Sequence, residues 1–202
     1  MRNSVALMSL GLVAMAGSAQ RRPPDAPPVL SGGTVIVIGS PAWVPHSLES
    51  LTDKADLIVD GVVAQVLPSR LWNPEDPISH CTDAVITVKR VLKGSITKRL
   101  IVFQRGGKIG GVEVATRQDT MMKQGKRYIL FLTRDTALAK PENEDKEYFA
   151  VTGLWNGKFS VEDGKVVPSS EATPELKTLD RQSVDDFLER VAKRVAAKPE
   201  TP

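Results

Sequence analysis

The sequence predicts a mainly β fold: a small antiparallel β-barrel with a short helix before it and an amphipathic helix after it. Three observations predict it. Short β-branched or alternating apolar runs recur from residue 57 to residue 167, each stopped by turn residues. Asn156-Gly157 and Asp163-Gly164 are two hairpin signals in close succession, because both residues of each pair tolerate positive φ. Only residues 183–197 carry a sustained helical repeat.

Residues 34–38 form a short β-branched run that predicts a leading strand. Residues 47–54 predict a short helix, with Ser47 as its cap and Leu48 and Leu51 on one face. The next run, 57–67, is a strand, and Gly61 inside it marks a bulge or sharp bend. In 82–92, apolar Ala84, Ile86 and Val88 alternate with polar Asp83, Thr87 and Lys89, the pattern of a half-buried strand. That alternation slips at Arg90-Val91, which predicts a local irregularity. Residues 100–103 give a third strand, 112–116 a fourth, and the near-continuous apolar run 127–133 a central one. With turns at Asn156-Gly157 and Asp163-Gly164, residues 148–167 predict a meander of three short strands. In the closing helix Val184, Phe187, Leu188, Val191 and Val195 make one stripe, and Ser183 with Asp186 reads as a capping box.

The ends bound the cellular context. Arg2, an apolar stretch over residues 5–16 and the small residues Gly17-Ser18-Ala19 follow the order of a secretory signal peptide, too short to span a bilayer. The expected cut after Ala19 leaves Gln20 first and divides the chain into a signal peptide (1–19), a Pro-rich linker and leading segment (20–46), a barrel domain (47–168), and a linker, helix and tail (169–202). Losing Arg2 takes the net charge from +3 to +2. The remaining basic runs, Arg21-Arg22 and residues 123–127, are short and lack aromatic platforms, so nucleic-acid binding is not expected. No second long apolar run predicts a membrane span in the mature chain, and the expected location is periplasmic or extracellular. Cys81 is the single cysteine, so no disulfide forms within the chain; burial as a small apolar group is expected.

The residues that punctuate the strands also carry a resemblance. Ala55-Asp56-Leu57-Ile58-Val59, Gly61-Val62-Val63, residues 88–94, Gly106-Gly107, Gly110-Gly111, residues 125–132 and Gly157-Lys158-Phe159 follow one another in an order that resembles a group of small exported bacterial proteins of unknown function. The resemblance covers about residues 47–167 and implies an OB-like barrel, similar in outline to the inhibitory domain of tissue inhibitors of metalloproteinases. Those inhibitors chelate zinc through an N-terminal cysteine held by disulfides. Gln20 and the lone Cys81 supply neither feature, so that mechanism is not carried over to any residue here.

No catalytic, cofactor or metal site is expected. His46 and His80 are the only histidines, and they lie far apart; His80 with Asp83 is at most a partial ligand set. The glycine run at Gly106, Gly107, Lys108, Gly110 and Gly111 lacks the Gly-Lys-Ser/Thr ending of a phosphate loop, so a flexible loop or barrel corner is expected. No Gly-x-Ser-x-Gly elbow occurs, and the acidic run 142–147 lacks EF-hand spacing. The long, Pro-stiffened loop 68–80 carries Trp72, which serves either as a recognition anchor or as a plug for the barrel end. Trp72, His80 and the glycine run are therefore the candidate ligand residues. The function they imply is a non-enzymatic binding module for an extracytoplasmic protein or envelope ligand. A hydrolase centred on His80 and a purely structural domain are the alternatives.

Overall fold

A computed structural model describes residues 33–37, 47–116, 120–135 and 146–197. The expected signal peptide, most of the Pro-rich segment and His46 lie outside the described residues.

Five strands form a closed ring: β2 (Leu57–Val66), β4 (His80–Lys93), β5 (Arg99–Arg105), β9 (Lys146–Val151) and β8 (Arg127–Arg134), with β8 returning to β2. Every ring pairing is antiparallel except β5 with β9, which run parallel. Five strands of alternating direction cannot close without one such pair, so a wholly antiparallel ring was not attainable. The chain order of the strands around the ring is first, second, third, fifth, fourth.

The ring has two packed faces, as period-two alternation requires. Val59, Ile86, Val102, Leu130 and Phe149, one from each strand, cluster on its inner side. Ile58, Ile129 and Phe131 point the other way. There they pack with Phe159 of β10 (Lys158–Glu162), with α1 (Leu48–Lys54), with α2 (Pro174–Lys177) and with α3 (Val184–Ala197). Ser47 caps α1 through a bond from the Ser50 amide, and Ser183 Oγ accepts from the Asp186 amide at the start of α3. Among the described residues no helix is long and apolar enough to cross a membrane.

Strand β2 shifts register against β4 between Asp60 and Gly61, where a Cβ on Gly61 would stand 2.6 Å from Ile86 Cγ2. A second shift, between Ile58 and Val59, passes over Leu92 and is the irregularity expected near Arg90-Val91. The half-buried pattern expected for β4 fails over its first half. All residues from His80 to Ile86 are buried, because β3 (Arg70–Leu71) pairs along that stretch and Leu67, Ile101 and Tyr148 cover Val85. Cys81 is wholly buried there.

Two expectations about connectivity are corrected. Residues 112–116 do form a strand, β7 (Val112–Thr116), but it leaves the ring and joins β1 (Gly33–Val37) and β6 (Gly107–Ile109) in a separate small sheet. The meander is also broken. Asp163-Gly164 does turn β10 into β11 (Lys165–Val167), but Asn156-Gly157 makes no hairpin. Both edges of β9 are taken by β5 and β8, so none is left for β10. The chain reverses instead at Gly153 and Leu154, both at positive φ, and passes through a 3-10 turn over Leu154–Gly157. Asn156 is buried, and its side-chain oxygen accepts from the Thr173 amide.

Candidate functional site

The loop between the first two ring strands is braced by its own polar groups. The Trp72 amide donates to Ser79 O, and the Asn73 amide donates to Ser79 Oγ. Ser79 Oγ meets the carbonyls of Asn73 and Asp76 at 2.6 and 2.7 Å. Asn73 and Asp76 side chains accept from the amides of Glu75 and Ile78, as Asx turns do. This bracing leaves two large apolar side chains in water, Trp72 at 42% and Ile78 at 39% exposure. Trp72 is not a plug: it stands at the rim of a cleft, with the Arg105 guanidinium 5.8 Å from its ring centre.

The cleft has a volume of 270 Å³. Its walls are largely apolar, with Phe103, Val114, Leu154 and Trp155 opposite the loop. Leu154 holds its place in the wall at φ +57°, a conformation that costs a non-glycine residue about 1 kcal/mol or more. His80 lies at the base, 4% exposed. Its Nδ1 is 3.0 Å from the Gly107 carbonyl oxygen. A carbonyl only accepts, so Nδ1 carries the proton.

The glycine pair is held to the same framework. The Gly106 amide donates to His80 O, Thr82 Oγ1 donates to Gly106 O, and the Lys108 amide donates to Ser69 Oγ. A Cβ on Gly107 would lie 2.3 Å from Ser69 Oγ and 2.4 Å from Thr82 Oγ1, at a φ of +138°. Position 107 thus needs glycine for close approach rather than for looseness. Gly107→Ala is expected to cost about 1–3 kcal/mol of stability through strain and displaced neighbours. It should also move the His80 ring, visible as a changed His80 signal in a long-range ¹H–¹⁵N spectrum. An unchanged signal and melting temperature would remove the locking role given to this glycine.

The structure brings together Trp72, His80, Gly106 and Gly107 and separates the rest of the run from them. Lys108, Gly110 and Gly111 run into the β6–β7 hairpin; its tip is exposed, and no atom lies within 4 Å of a Cβ at Gly110. Asp83 does not join His80. It lies beneath Arg70, whose Nε and Nη2 both reach Oδ2, at 3.1 and 2.8 Å. Burial is the largest single influence on Arg70 and lowers its pKa, but the hydrogen bond to Asp83 and the Asp83 charge, with smaller contributions from Cys81 and Tyr148, together hold the guanidinium above its ordinary value. Among the described residues no group of three or more His, Cys, Asp or Glu side chains is placed to hold a metal ion. Of the acidic run only Lys146 and Glu147 are among the described residues, and Glu147 pairs with Arg134 and Thr97.

Sequence reasoning missed the far wall of the cleft. Phe103 and Arg105 alternate at the end of an ordinary strand, and Trp155 follows a reversal that looked like part of a hairpin. The one available signal was Gly153 ahead of an apolar Leu-Trp pair, one turn earlier than the Asn-Gly that drew the hairpin reading. No family model matches the chain, and no curated protein matches it.

Proposed function

We propose that the chain is an exported, non-enzymatic binding module of OB-like type, and that the cleft between Trp72 and Trp155 holds its ligand. The ring order and its single parallel pair support the OB-like reading. OB-folds bind through the loop joining their first two strands and the loop joining their fourth and fifth. Here residues 67–79 make the first connection, and Asp135, at the start of the second, lines the same cleft. The observation that carries the proposal is the presentation of Trp72 and Ile78, large apolar side chains held in water by a loop with its polar groups satisfied. An extracytoplasmic protein or envelope component is the expected partner class.

The test passes envelope extract and culture medium of the exporting cell over immobilised wild type and Trp72→Ala. A species held by the wild type and weakened about thirtyfold by the substitution, the ~2 kcal/mol of a hot-spot aromatic, is the expected result. Circular dichroism should show no change of fold, since Trp72 is exposed. Equal retention on both columns would end the proposal.

One observation favours a hydrolase as a second reading: His80 shares the cleft with two carboxylates, Asp76 and Asp135. Two others weigh against it. His80 Nδ1 is bonded to a carbonyl rather than to an acid, and the nearby Ser79 Oγ is bonded to two backbone carbonyls. Hydrolysis of p-nitrophenyl esters that His80→Gln abolishes would displace the binding reading.

A further inference from the structure

We infer that the cleft selects a ligand whose flat apolar ring carries an N–H or O–H donor, a phenol or an indole, and that His80 Nε2 accepts that donor's hydrogen bond. The inference rests on the binding reading above and assigns its ligand chemistry.

The tautomer supplies the first step. With the Nδ1 proton directed at Gly107 O, the imidazole tautomer that fits this bond has its lone pair at Nε2. Among the described residues no protein group meets that nitrogen. Nor is Nε2 sealed inside the protein, because Asp83 Oδ1 is the one fully enclosed side-chain polar atom without a partner among the described residues. His80 is 96% buried and lines the cleft, where the inferred donor would reach Nε2. A single acceptor at the base of apolar walls is the arrangement that orients a small ligand.

The walls supply the second step. Trp72, Phe103 and Trp155 border a space of 270 Å³, below the range of about 300–1,000 Å³ that drug-sized ligands occupy, so it suits one ring rather than an extended molecule. Rings prefer tilted or offset contact with other rings, and the Arg105 guanidinium beside Trp72 steadies that wall. A ring without a donor would cover Nε2 and leave it unpaired, which a site built around an acceptor penalises. The cleft is open to water on one side, so the penalty is that of one partly compensated hydrogen bond.

The experiment titrates the native chain with N-acetyl-tyrosinamide, N-acetyl-phenylalaninamide and p-cresol. It follows the amide signals of Ile78, Gly106 and Gly107 and the His80 ring nitrogens by NMR. N-acetyl-tyrosinamide is expected to bind about tenfold tighter than the phenylalanine analogue. The Nε2 signal is expected to shift with the two phenols and not with N-acetyl-phenylalaninamide. His80→Phe should level the two amides; if that variant does not fold, the wild-type Nε2 shift carries the test alone. Tighter binding of p-cresol than of N-acetyl-tyrosinamide would identify a free phenol as the source, and the reverse a peptide side chain; both support the assignment. Equal affinities with an unmoved Nε2 would overturn it while leaving the binding module standing. No response of the cleft amides to any of the three would overturn both.

Discussion

Phe187→Ala is expected to cost about 3–5 kcal/mol, the range for truncating a buried phenylalanine in a core that cannot collapse around the gap. Phe187 is fully buried on α3. Its ring lies 4.9 Å from that of Phe159 and 6.4 Å from that of Phe131, and the latter two are 5.8 Å apart. Phe131 belongs to the ring, Phe159 to the strand that extends it, and Phe187 to the helix that covers both. The three rings therefore fasten α3 to the sheet. Domains of this size have about 5–15 kcal/mol of stability in all, so the loss should shift the urea midpoint far toward zero. Phe187→Leu, which keeps most of the volume, should cost markedly less. A cost below about 1 kcal/mol for Phe187→Ala would mean that α3 is not held through this cluster.

Arg127→Ala is expected to cost about 3 kcal/mol, at the low end for breaking a buried ion pair. Asp60 is 2% exposed, on the outer side of β2. Arg127 Nε and Nη2 meet its two carboxylate oxygens at 2.8 Å each. The Asp60 bond is the largest cause holding the Arg127 guanidinium above its ordinary pKa; burial opposes it. Without the guanidinium, the Asp60 carboxylate loses both of its hydrogen bonds. The Arg127 side chain is 31% exposed, so water can enter behind an alanine, and that entry sets the low end of the range. The control is the double variant Asp60→Leu with Arg127→Met, which removes both charges and should recover most of the loss. Strictly additive effects of Asp60→Leu alone, Arg127→Met alone and the double variant in urea unfolding would show that the pair is not coupled.

Arg127 also shows why some of the structure was illegible in the sequence. In the run 123–127 it reads as one more solvated cation, and nothing nearby marks Asp60, 67 residues earlier, as its partner. The same holds for the cleft. Trp72 and His80 stood out because an aromatic and a histidine in a long loop are unusual, and Gly106-Gly107 because paired glycines are. Phe103 and Trp155 did not, because an apolar residue on a strand or beside a turn is ordinary until a partner surface is placed opposite it.

By itself the sequence determined the local elements. Its alternation placed the ring strands to within a few residues, its helical repeat placed α3, and Ser47 and Ser183 placed two helix starts. These depend on neighbours a few positions away, which a linear reading contains. Only the tertiary structure decided which edges pair. It closed the ring through a parallel β5–β9 contact, used both edges of β9 so that Asn156-Gly157 had no hairpin to make, and carried β7 into a second sheet. Strand pairing is a competition among edges distant along the chain, and its outcome depends on what the whole fold leaves uncovered. The cleft is a product of that competition: a loop, a glycine pair and a chain reversal that meet only because the ring closes.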